Sequence, residues 1–343
     1  MNPANPWWNP QNHADRRPLL HARARLMGAV RGWFDGQGFL EVDPGCLQVS
    51  PGNEAHIHGL SVQIRGKNDE KAEVFLHSSP EFAMKKLLAA GESRIYSLGH
   101  VWRDREHSPT HAIEFTMLEW YRTAAPYEAV MADCAALLAL ACATTGAKTL
   151  RYKSSQANPF AEPEYITVTQ AFAHYAGIEL MAVLDDPKAF AKASEKAGIP
   201  VAADDNWSDI FSRLIVAKVE PHLGQGRMTF LTEYPACEAA LARRKPSDNR
   251  VSERFELYAC GVELANGFGE LTDPAEQRRR LEAEMDEKQR IYGERYPLDE
   301  DFLASLAFMP QSSGVALGFD RLVMLATGAP RIEHVIWTPL TLA

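Results

Sequence analysis

The sequence has 343 residues, and its 36 Lys and Arg against 45 Asp and Glu give a formal net charge of −9 at pH 7. That length predicts one large domain or two moderate ones, and the ordinary shares of hydrophobic (46%) and charged (24%) residues exclude intrinsic disorder and a disulfide-stapled miniprotein. The acidic balance disfavours a protein that binds nucleic acid through bulk positive charge, although it is compatible with local basic patches.

The first predicted elements follow a polar start. Residues 1–18 are rich in Pro and Asn, lack the pattern of a secretory signal, and predict a flexible arm. Apolar residues at helical spacing predict a helix over residues 19–34, which Gly36 and Gly38 end. The elements predicted next are strands at 39–42, 73–77, 94–103 and 114–122, and helices at 79–88 and 128–144.

The sequence pattern changes at the start of the second half of the chain. Helical patterns dominate from about residue 150 to 226 and predict a helical insertion, with helices at 169–175, 186–197 and 208–223. Strand patterns return at 228–233, 254–264 and 315–317, and helices are predicted at 273–292 and 320–326. Strands mixed with helices, without regular βαβ alternation, predict an α+β fold with a largely antiparallel sheet flanked by helices.

Neither a membrane segment nor a disulfide framework is predicted. The most apolar stretch, residues 135–143, is much shorter than the roughly 20 residues that a membrane span requires. The five cysteines are odd in number, widely spaced and without a C-x-x-C pair, which is typical of a reducing compartment and argues against a zinc site. We therefore expect a cytoplasmic protein that does not contact membranes.

The first segment with candidate catalytic or binding residues is WRDREHSPTHAIEFTMLEWYR, residues 102–122. Because side chains alternate along a strand, Phe115, Glu119 and Tyr121 are expected on one face, with Arg103 on the paired strand. An arginine beside acidic residues on a sheet face is equally well explained, on spacing alone, as a structural ion pair.

The second segment, RFELYACGVELANGFGELTD, covers residues 254–273 and carries an acid every seven residues. Glu256 and Glu263 would face opposite ways on one unbroken strand, so a bulge would be needed to bring them together. With Glu270, they surround Asn266 and suggest a site for divalent cations or ammonium groups. The alternative is an exposed strand edge with scattered acids.

The third segment, SGVALGFDRLVMLATG, covers residues 313–328. Gly314 and Gly318 flank a strand of small residues and would let a ligand lie against the backbone. Asp320 can cap the helix that follows, and Arg321 at the start of that helix suits an anion. Alone, such a glycine-rich turn between strand and helix is common.

In this order the three segments resemble the signature motifs of the class II aminoacyl-tRNA synthetases, most closely those of the lysyl branch. That branch adds the strings FTMLEWYR and ELANGF-x-ELTD, which stand here at residues 115–122 and 263–273. The resemblance runs from about residue 19 to the C-terminus. It implies that the protein uses ATP with Mg²⁺ to form an adenylate on the carboxylate of an amino acid.

The resemblance also implies roles for single residues. Arg103 would bind the α-phosphate and the substrate carboxylate and Arg321 the γ-phosphate, which makes them the expected catalytic residues, and Phe115 would stack on adenine. Glu256 and Glu263 would hold magnesium. The expected ATP-binding residues are Arg103, Asp104, Arg105, Glu106, His111, Phe115, Glu263, Leu264, Gly318 and Arg321.

The chemistry of adenylation agrees with these roles. Two anions must approach each other, so arginines and Mg²⁺ are needed to offset their repulsion. A substrate with two ammonium groups needs acidic walls, because a desolvated ammonium without a carboxylate is very costly. By family position, Glu81 would bind the amino group nearer the carboxylate, and Glu119, Tyr121 and Glu270 would bind the distal ammonium. The expected substrate-binding residues are Ser79, Pro80, Glu81, Glu119, Tyr121, Asn266, Phe268, Glu270 and Ala316.

Two further features narrow the family. The synthetase pattern begins near Leu19, so we expect a catalytic domain at residues 19–343 and no anticodon-binding domain before it. Ala316 stands where lysyl-tRNA synthetases have a glycine, and its methyl group would narrow the pocket near the amino end of the substrate. Together these features resemble the elongation factor P lysine ligase family, which implies (R)-β-lysine or lysine as the substrate and elongation factor P as the acceptor. The resemblance also implies a homodimer, formed through the helix at 19–34 and the strand after it, without stable tRNA binding.

Three positions depart from the family pattern. Asp43-Pro44-Gly45 stands where motif 1 usually ends in Thr-Pro, which affects the expected dimer contact. Arg105 replaces a glutamate that usually follows the motif 2 arginine, with Glu106 as the candidate substitute at adenine. Ala112 replaces an asparagine, which removes one polar contact. None of these departures removes a charge that the chemistry needs.

Two other functions remain open from the sequence. One is a ligase that uses α-lysine with tRNA or another acceptor, and the identity of the acceptor distinguishes it from the first. The other is a catalytically silent paralogue that acts as a regulatory binding subunit. Arg103, Glu263 and Arg321 are all retained, and this retention counts against the silent paralogue.

Overall fold

The central feature of the fold is an eight-stranded sheet, seen in a computed structural model that describes residues 6–239 and 241–341. The α-helices in these ranges are α1 (Pro10–Gly36), α2 (Glu81–Ala89), α3 (Tyr127–Thr145), α4 (Val168–Ala171), α5 (Pro187–Lys196), α6 (Trp207–Leu214), α7 (Pro274–Tyr292), α8 (Glu300–Ser305) and α9 (Phe319–Thr327). The strands are β1 (Leu40–Glu41), β2 (Leu47–Gln48), β3 (Leu60–Arg65), β4 (Lys71–Leu76), β5 (Arg94–Trp102), β6 (Glu114–Thr123), β7 (Leu150–Tyr152), β8 (Ser155–Asn158), β9 (Glu164–Thr167), β10 (Gly226–Arg227), β11 (Thr229–Thr232), β12 (Arg244–Lys245), β13 (Asp248–Ser252), β14 (Arg254–Ala259), β15 (Val262–Gly269) and β16 (Ser312–Gly318).

The strands of the central sheet run in the order β1-β5-β6-β16-β15-β14-β11-β9. Every neighbouring pair from β5 to β11 is antiparallel, whereas the two edge pairs, β1 with β5 and β9 with β11, are parallel. The sheet joins distant parts of the chain, since β16 lies between β6 and β15. The predicted α+β fold with a largely antiparallel sheet flanked by helices is confirmed.

One face of the sheet packs on α1, α3 and α9. Phe34 of α1 stacks on Tyr96 of β5 with 4.3 Å between ring centroids, and Trp120 of β6 meets the Phe34 ring edge-on. All three side chains are fully buried, and burial of each contributes about 1.5–3 kcal/mol. Because side chains alternate along β6, burial of Trp120 on this face turns Glu119 and Tyr121 to the opposite face.

Helix α3 is long and apolar enough to cross a membrane when it is judged by length and composition alone. In the fold it packs against α1, α9 and the strands β15 and β16. Its Asp133 is buried and accepts hydrogen bonds from Trp120 Nε1 at 3.0 Å and from Arg122 Nε at 2.8 Å. These contacts are those of a helix in a protein core.

The first helix starts earlier than predicted. Asn9 caps α1 by accepting a hydrogen bond from Gln11 N at 3.0 Å, and Pro10 takes the first helical position, where a proline is tolerated. The expected flexible arm at residues 1–18 is therefore wrong for residues 10–18, while residues 1–5 lie outside the described residues. The prediction started the helix after Pro18, because proline disfavours a helix interior, but Pro18 lies inside α1.

The strand predicted at 254–264 is in fact a hairpin. Cys260 and Gly261 have positive φ values of 58° and 70° and form the turn between β14 and β15. The pairing places Glu256 opposite Asn266 and Tyr258 opposite Glu263, with a register shift after Leu257. The reversal of the chain brings the two acids onto neighbouring strands, and the register shift between them is the kind of bulge or irregularity that the sequence analysis expected.

The segment predicted as a helical insertion, residues 150–226, contains α4, α5 and α6 but begins with the strands β7, β8 and β9. β9 forms an edge of the central sheet beside β11. Phe172, Phe190 and Phe211 centre a second apolar core in this segment. The other predicted elements are present with ends shifted by a few residues, whereas the sequence patterns do not predict β2, β3, β10, β12, β13 or α8.

Candidate active site

A cavity of about 230 Å³ lies against β6, β15 and β16, next to the starts of α2 and α9. It is lined by Phe115 and Met117 of β6, whose odd-numbered side chains leave the main core. The predicted site residues that the cavity brings together are Ser79, Glu81, Arg103, Glu106, His111, Phe115, Glu263, Leu264, Asn266, Phe268, Ala316, Gly318 and Arg321. Segments that are far apart in the sequence therefore share one chamber.

Arg103 follows β5 directly and projects into the cavity. Its backbone N–H donates to Ile113 O at 2.9 Å, and its Nε donates to Ser78 O at 3.2 Å. The guanidinium lies 5.4 Å from the centre of the Phe115 ring, where a cation is attracted by the ring face. Arg103 lines the cavity, where its guanidinium can meet an anion.

Arg321 supplies a second positive group from the first turn of α9. Its Nε donates to Thr110 O at 3.1 Å and its Nη1 donates to Glu263 O at 2.9 Å. Its Nη2 contacts His111 Nε2, and burial together with the charge of Arg321 lowers the pKa of His111. A neutral imidazole next to Arg321 leaves the guanidinium as the main positive charge at this end.

Asp320 does not cap α9 as the sequence suggests. It is buried, accepts a hydrogen bond from Thr116 N at 2.8 Å, and forms an ion pair with Arg23 of α1. The start of α9 has no side-chain cap. The carboxylate of Asp320 instead ties α1, β6 and α9 together, and this fixes the direction in which the adjacent Arg321 projects.

The opposite end of the cavity is acidic. Both oxygens of the buried Glu119 accept hydrogen bonds, from Ser79 Oγ at 2.6 Å and from Tyr121 OH at 2.7 Å. Burial and the nearby Glu81 raise the pKa of Glu119 to about 8, against the opposing effect of these hydrogen bonds. Glu119 and Tyr121 support the wall and are not themselves part of the cavity lining.

A lysine that the sequence analysis missed lies inside this acidic group. Lys85 Nζ is fully buried and forms ion pairs with Glu81, one helical turn earlier in α2, and with Glu270 Oε2 at 2.6 Å. Burial alone would lower the pKa of the Lys85 ammonium, but the negative charges of Glu270 and Glu81 outweigh the effect of burial and raise that pKa. The four-residue spacing of Glu81 and Lys85 is the signal that could have predicted this pair.

Glu270 was expected to contact the distal ammonium of the substrate, but it does not line the cavity. It is 1% exposed, lies behind the cavity lining, and has the ammonium of Lys85 as its partner. Burial raises the pKa of Glu270 to about 7, with Lys85 opposing this effect. Gly314 makes the arrangement possible, since a Cβ there would lie 2.6 Å from Glu270 Oε1 and would also clash with the Tyr121 ring.

Ala316 of β16 lines the cavity. It pairs with Asn266 on one side and with Glu119 on the other in the register of the sheet. Asn266 Oδ1 is buried and has no hydrogen-bond partner within residues 6–239 and 241–341. A buried acceptor of this kind is costly unless a ligand donates to it, so Asn266 is suited to an ammonium group.

The two predicted magnesium ligands lie on neighbouring strands, together with a third acid. Glu256 accepts hydrogen bonds from Arg254 Nη2 and Tyr258 OH, both at 2.7 Å, and Tyr258 OH is 3.4 Å from Glu220 Oε1. Burial and the charges of Glu256 and Glu263 raise the pKa of Glu220 to about 7. Burial and Glu256 also raise the pKa of Glu263.

This donor set fits a hard cation, because carboxylate oxygens are what Mg²⁺ prefers and a cation would relieve the crowding of negative charge. No ready-made group of three metal-binding side chains is found in the described part of the chain. Glu263 lines the cavity, whereas Glu256 stands behind it. Mg²⁺ bound here would therefore share its coordination with the phosphates of a nucleotide.

Two predicted ATP-binding residues, Asp104 and Arg105, are not part of the cavity lining. Arg105 has a positive φ of 65°, and its guanidinium pairs with Glu294 and lies 5.8 Å from the centre of the Tyr292 ring. Asp104 donates its backbone N–H to His58 O at 2.7 Å and is not part of the lining. The left-handed backbone at Arg105 redirects its side chain, and Glu106 lines the cavity in its place.

Comparison with known proteins agrees with this architecture. The model of the family tRNA synthetases class II (D, K and N) matches residues 10–342, so the chain belongs to this family of class II synthetases. Relatives named elongation factor P–(R)-β-lysine ligase match over nearly the whole chain. Those of Proteus mirabilis (strain HI4320) and Edwardsiella ictaluri (strain 93-146) are both 36% identical, over 94% and 92% of this chain and 94% and 93% of their own. That of Vibrio cholerae serotype O1 is 35% identical over 93% of this chain and 94% of its own.

Proposed function

We propose that the protein uses ATP and Mg²⁺ to activate (R)-β-lysine as an adenylate, and transfers the β-lysyl group to the ε-amino group of a lysine on elongation factor P. The observation that carries this proposal is the polarity of the cavity. Arg103 and Arg321 approach it from one end, and Glu81, Asn266 and the supporting Glu119 stand at the other. The names of the relatives support both the amino acid and the acceptor.

The first step joins two anions. A carboxylate oxygen of the substrate attacks the α-phosphorus of ATP and forms an acyl–phosphate bond. The bond between the α-phosphorus and the oxygen bridging to the β-phosphate breaks, and pyrophosphate leaves with that oxygen and its electron pair. Arg103 is placed to neutralise the attacking carboxylate and the α-phosphate, and Arg321 the outer phosphates. Mg²⁺ held by Glu263 and Glu256 would supply additional positive charge at the phosphates.

The second step needs a neutral amine. The lysine ε-amino nitrogen attacks the acyl carbon, an amide forms, AMP leaves, and the amine loses a proton. A nearby carboxylate would hold the incoming amine in its charged form. Glu119 and Glu270 are buried behind the cavity lining, so neither would contact an incoming lysine directly.

Other finer features of the protein belong to the same proposal. We also propose a homodimer formed through α1 and β1, and the exposed apolar side chains of Leu40, Leu47 and Val49 on and after β1 support it. A protein acceptor and a net charge of −9 favour negligible tRNA charging. We place the reaction in the cytoplasm, where elongation factor P acts during translation. Light scattering at micromolar concentration tests the dimer, and a monomer would contradict it.

Two parallel measurements test the function. ATP–pyrophosphate exchange is measured with α-lysine and (R)-β-lysine side by side, and β-lysine is expected to give the higher kcat/KM. Radiolabelled β-lysine is then supplied with purified elongation factor P or with total tRNA. Label on the factor alone supports the proposal, whereas label on tRNA alone would establish a synthetase-like ligase instead. No exchange with either amino acid would indicate a silent paralogue.

A further inference from the structure

The structure brings Glu54, which no sequence motif singles out, into the lining of the cavity beside Ser79, Glu81 and Arg103. Glu54 lies on the segment between β2 and β3, far from the family signatures in the chain. Its position depends on α7, more than two hundred residues later in the sequence. A carboxylate delivered to a substrate cavity by such a long-range contact requires an explanation.

Helix α7 holds the backbone after Glu54, and the segment that follows α7 holds the residue before it. Glu284 Oε2 accepts a hydrogen bond from Ala55 N at 2.9 Å. The buried Lys288 donates from Nζ to Ala55 O at 2.9 Å and to Ile57 O at 2.8 Å. On the other side, Asn53 Nδ2 donates to Pro297 O at 3.2 Å. Glu54 is therefore held in place by its neighbours and does not swing freely with a surface loop.

The carboxylate of Glu54 has no fixed partner. Throughout residues 6–239 and 241–341, no group donates a hydrogen bond to it and no cation forms a close ion pair with it. Burial raises the pKa of its carboxyl group, and the charges of Arg103 and Glu81 act on that pKa in opposite directions. Glu54 is half-buried in the cavity wall, and a carboxylate there without a donor would be stabilised by a ligand cation.

The charge of Glu81 makes this carboxylate necessary. Glu81 was expected to bind the amino group nearer the substrate carboxylate, but its own carboxylate is already paired with Lys85. Part of its negative charge is thus cancelled within the protein. Glu54 adds a carboxylate without an ion-pair partner to the same lining, near Glu81 and near Arg103, which suits the substrate carboxylate.

We propose that Glu54 is a substrate-binding residue whose carboxylate accepts hydrogen bonds from the ammonium group nearer the substrate carboxylate, next to Glu81. This inference rests on the proposed function, since it assigns one ammonium of (R)-β-lysine to Glu54. Arg103 and Glu54 would then read the carboxylate and the β-ammonium as a pair. The distal ammonium would remain with Asn266 and the Glu119 wall.

The test compares two ligands that differ only in this ammonium. (R)-β-lysine is 3,6-diaminohexanoate, and 6-aminohexanoate lacks only the amino group that Glu54 would bind. In Glu54→Gln, kcat/KM for β-lysine in ATP–pyrophosphate exchange should fall about 10²-fold, as expected for loss of one partner of a desolvated charge pair. The inhibition constant of 6-aminohexanoate and the KM for ATP should stay within about twofold of their wild-type values.

Controls separate contact from folding. Glu92→Gln, at an exposed position outside the cavity, should behave as the wild type, and thermal unfolding should show Glu54→Gln folded. Glu54→Asp keeps the charge but shortens the reach, and should lose about 10-fold, so a second variant carries the test if the first does not fold.

Two results would overturn the inference. One is an unchanged kcat/KM for β-lysine in Glu54→Gln, and the other is an equal loss of affinity for β-lysine and 6-aminohexanoate. The second pattern would show that Glu54 acts by placing Arg103 or the loop. Failure of the wild type to activate β-lysine would refute the proposed function instead, so the two failures are distinguishable.

Discussion

Replacing Lys85 by methionine should destabilise the fold strongly, because it leaves two acids in a desolvated site without their cation. Lys85 is fully buried and Glu270 is 1% exposed, and the two atoms of their ion pair are 2.6 Å apart. Removing one partner of a buried pair typically costs about 3–5 kcal/mol, because the other charge is left uncompensated. We expect a loss of that size in the free energy of unfolding.

The loss should depend on pH. Burial already raises the pKa of Glu270 to about 7, and removal of Lys85, which opposes this effect, would raise that pKa further above the value in the unfolded chain. The folded variant then binds a proton that the unfolded chain releases, so its stability falls as pH rises through the folded pKa. The deficit of Lys85→Met relative to the wild type should therefore be larger at pH 8 than at pH 5.

Urea unfolding, followed by tryptophan fluorescence at both pH values, measures this deficit. The double variant Lys85→Met with Glu270→Gln should recover much of the loss, since it removes both charges of the pair. Lys71→Met, at an exposed position of β4, should change the stability by less than about 0.5 kcal/mol. A deficit under about 1 kcal/mol, or one that is independent of pH, would refute the assignment of Lys85 as a buried counter-ion.

Three further outcomes are expected. Arg103→Ala should lower the ATP–pyrophosphate exchange rate by about 10²-fold or more, and wild-type rates would remove Arg103 from the catalytic step. Ala316→Gly should shift the ratio of kcat/KM values from β-lysine toward α-lysine, and an unchanged ratio would contradict the pocket argument. The KM for β-lysine should fall as pH rises from 6 to 8, because the pKa of Glu119 is raised to about 8 and its ionised form stabilises the substrate ammonium. A KM that does not change with pH would show that ionisation of Glu119 is not linked to substrate binding.

Local patterns predicted much of the sheet and one wall of the site. The two-residue alternation along β6 correctly put Phe115, Glu119 and Tyr121 on one face, because burial of Trp120 sets the face of every neighbour. Family resemblance supplied Arg103, and the cavity contains it. These successes come from signals that lie within a few residues of each other.

The errors come from backbone conformations that side-chain patterns do not report. Cys260 and Arg105 both adopt positive φ, which is uncommon for residues other than glycine. At Cys260 this conformation makes a turn where the sequence suggested a continuous strand, and at Arg105 it carries the guanidinium to Glu294. Pro18 gave the opposite error, since the sequence suggested a helix boundary there and α1 continues through it.

Glu54 and Glu270 show a third limit, which is tertiary. The backbone contacts that place Glu54 come from α7, so no local spacing could reveal them. The partner of Glu270 comes from α2, and only the i, i+4 spacing of Glu81 and Lys85 gave a local hint of it. The sequence identified the acids, but the structure was needed to show which of them the protein already neutralises.

The neutralised acids bear on how the cavity would distinguish a diamine from a monoamine. Glu119 and Glu270 have pKa values raised to about 8 and about 7, so near neutral pH the empty site is partly protonated and avoids its full negative charge. A ligand with two ammonium groups would favour the ionised forms and release protons on binding, whereas a monoamine would compensate only part of the charge. In the absence of substrate, the Lys85 ammonium stabilises the remaining negative charge of Glu81 and Glu270. Selection for the second ammonium would then follow from the charge that the protein leaves unpaired, at Glu54 on one side and at the Glu119 wall on the other.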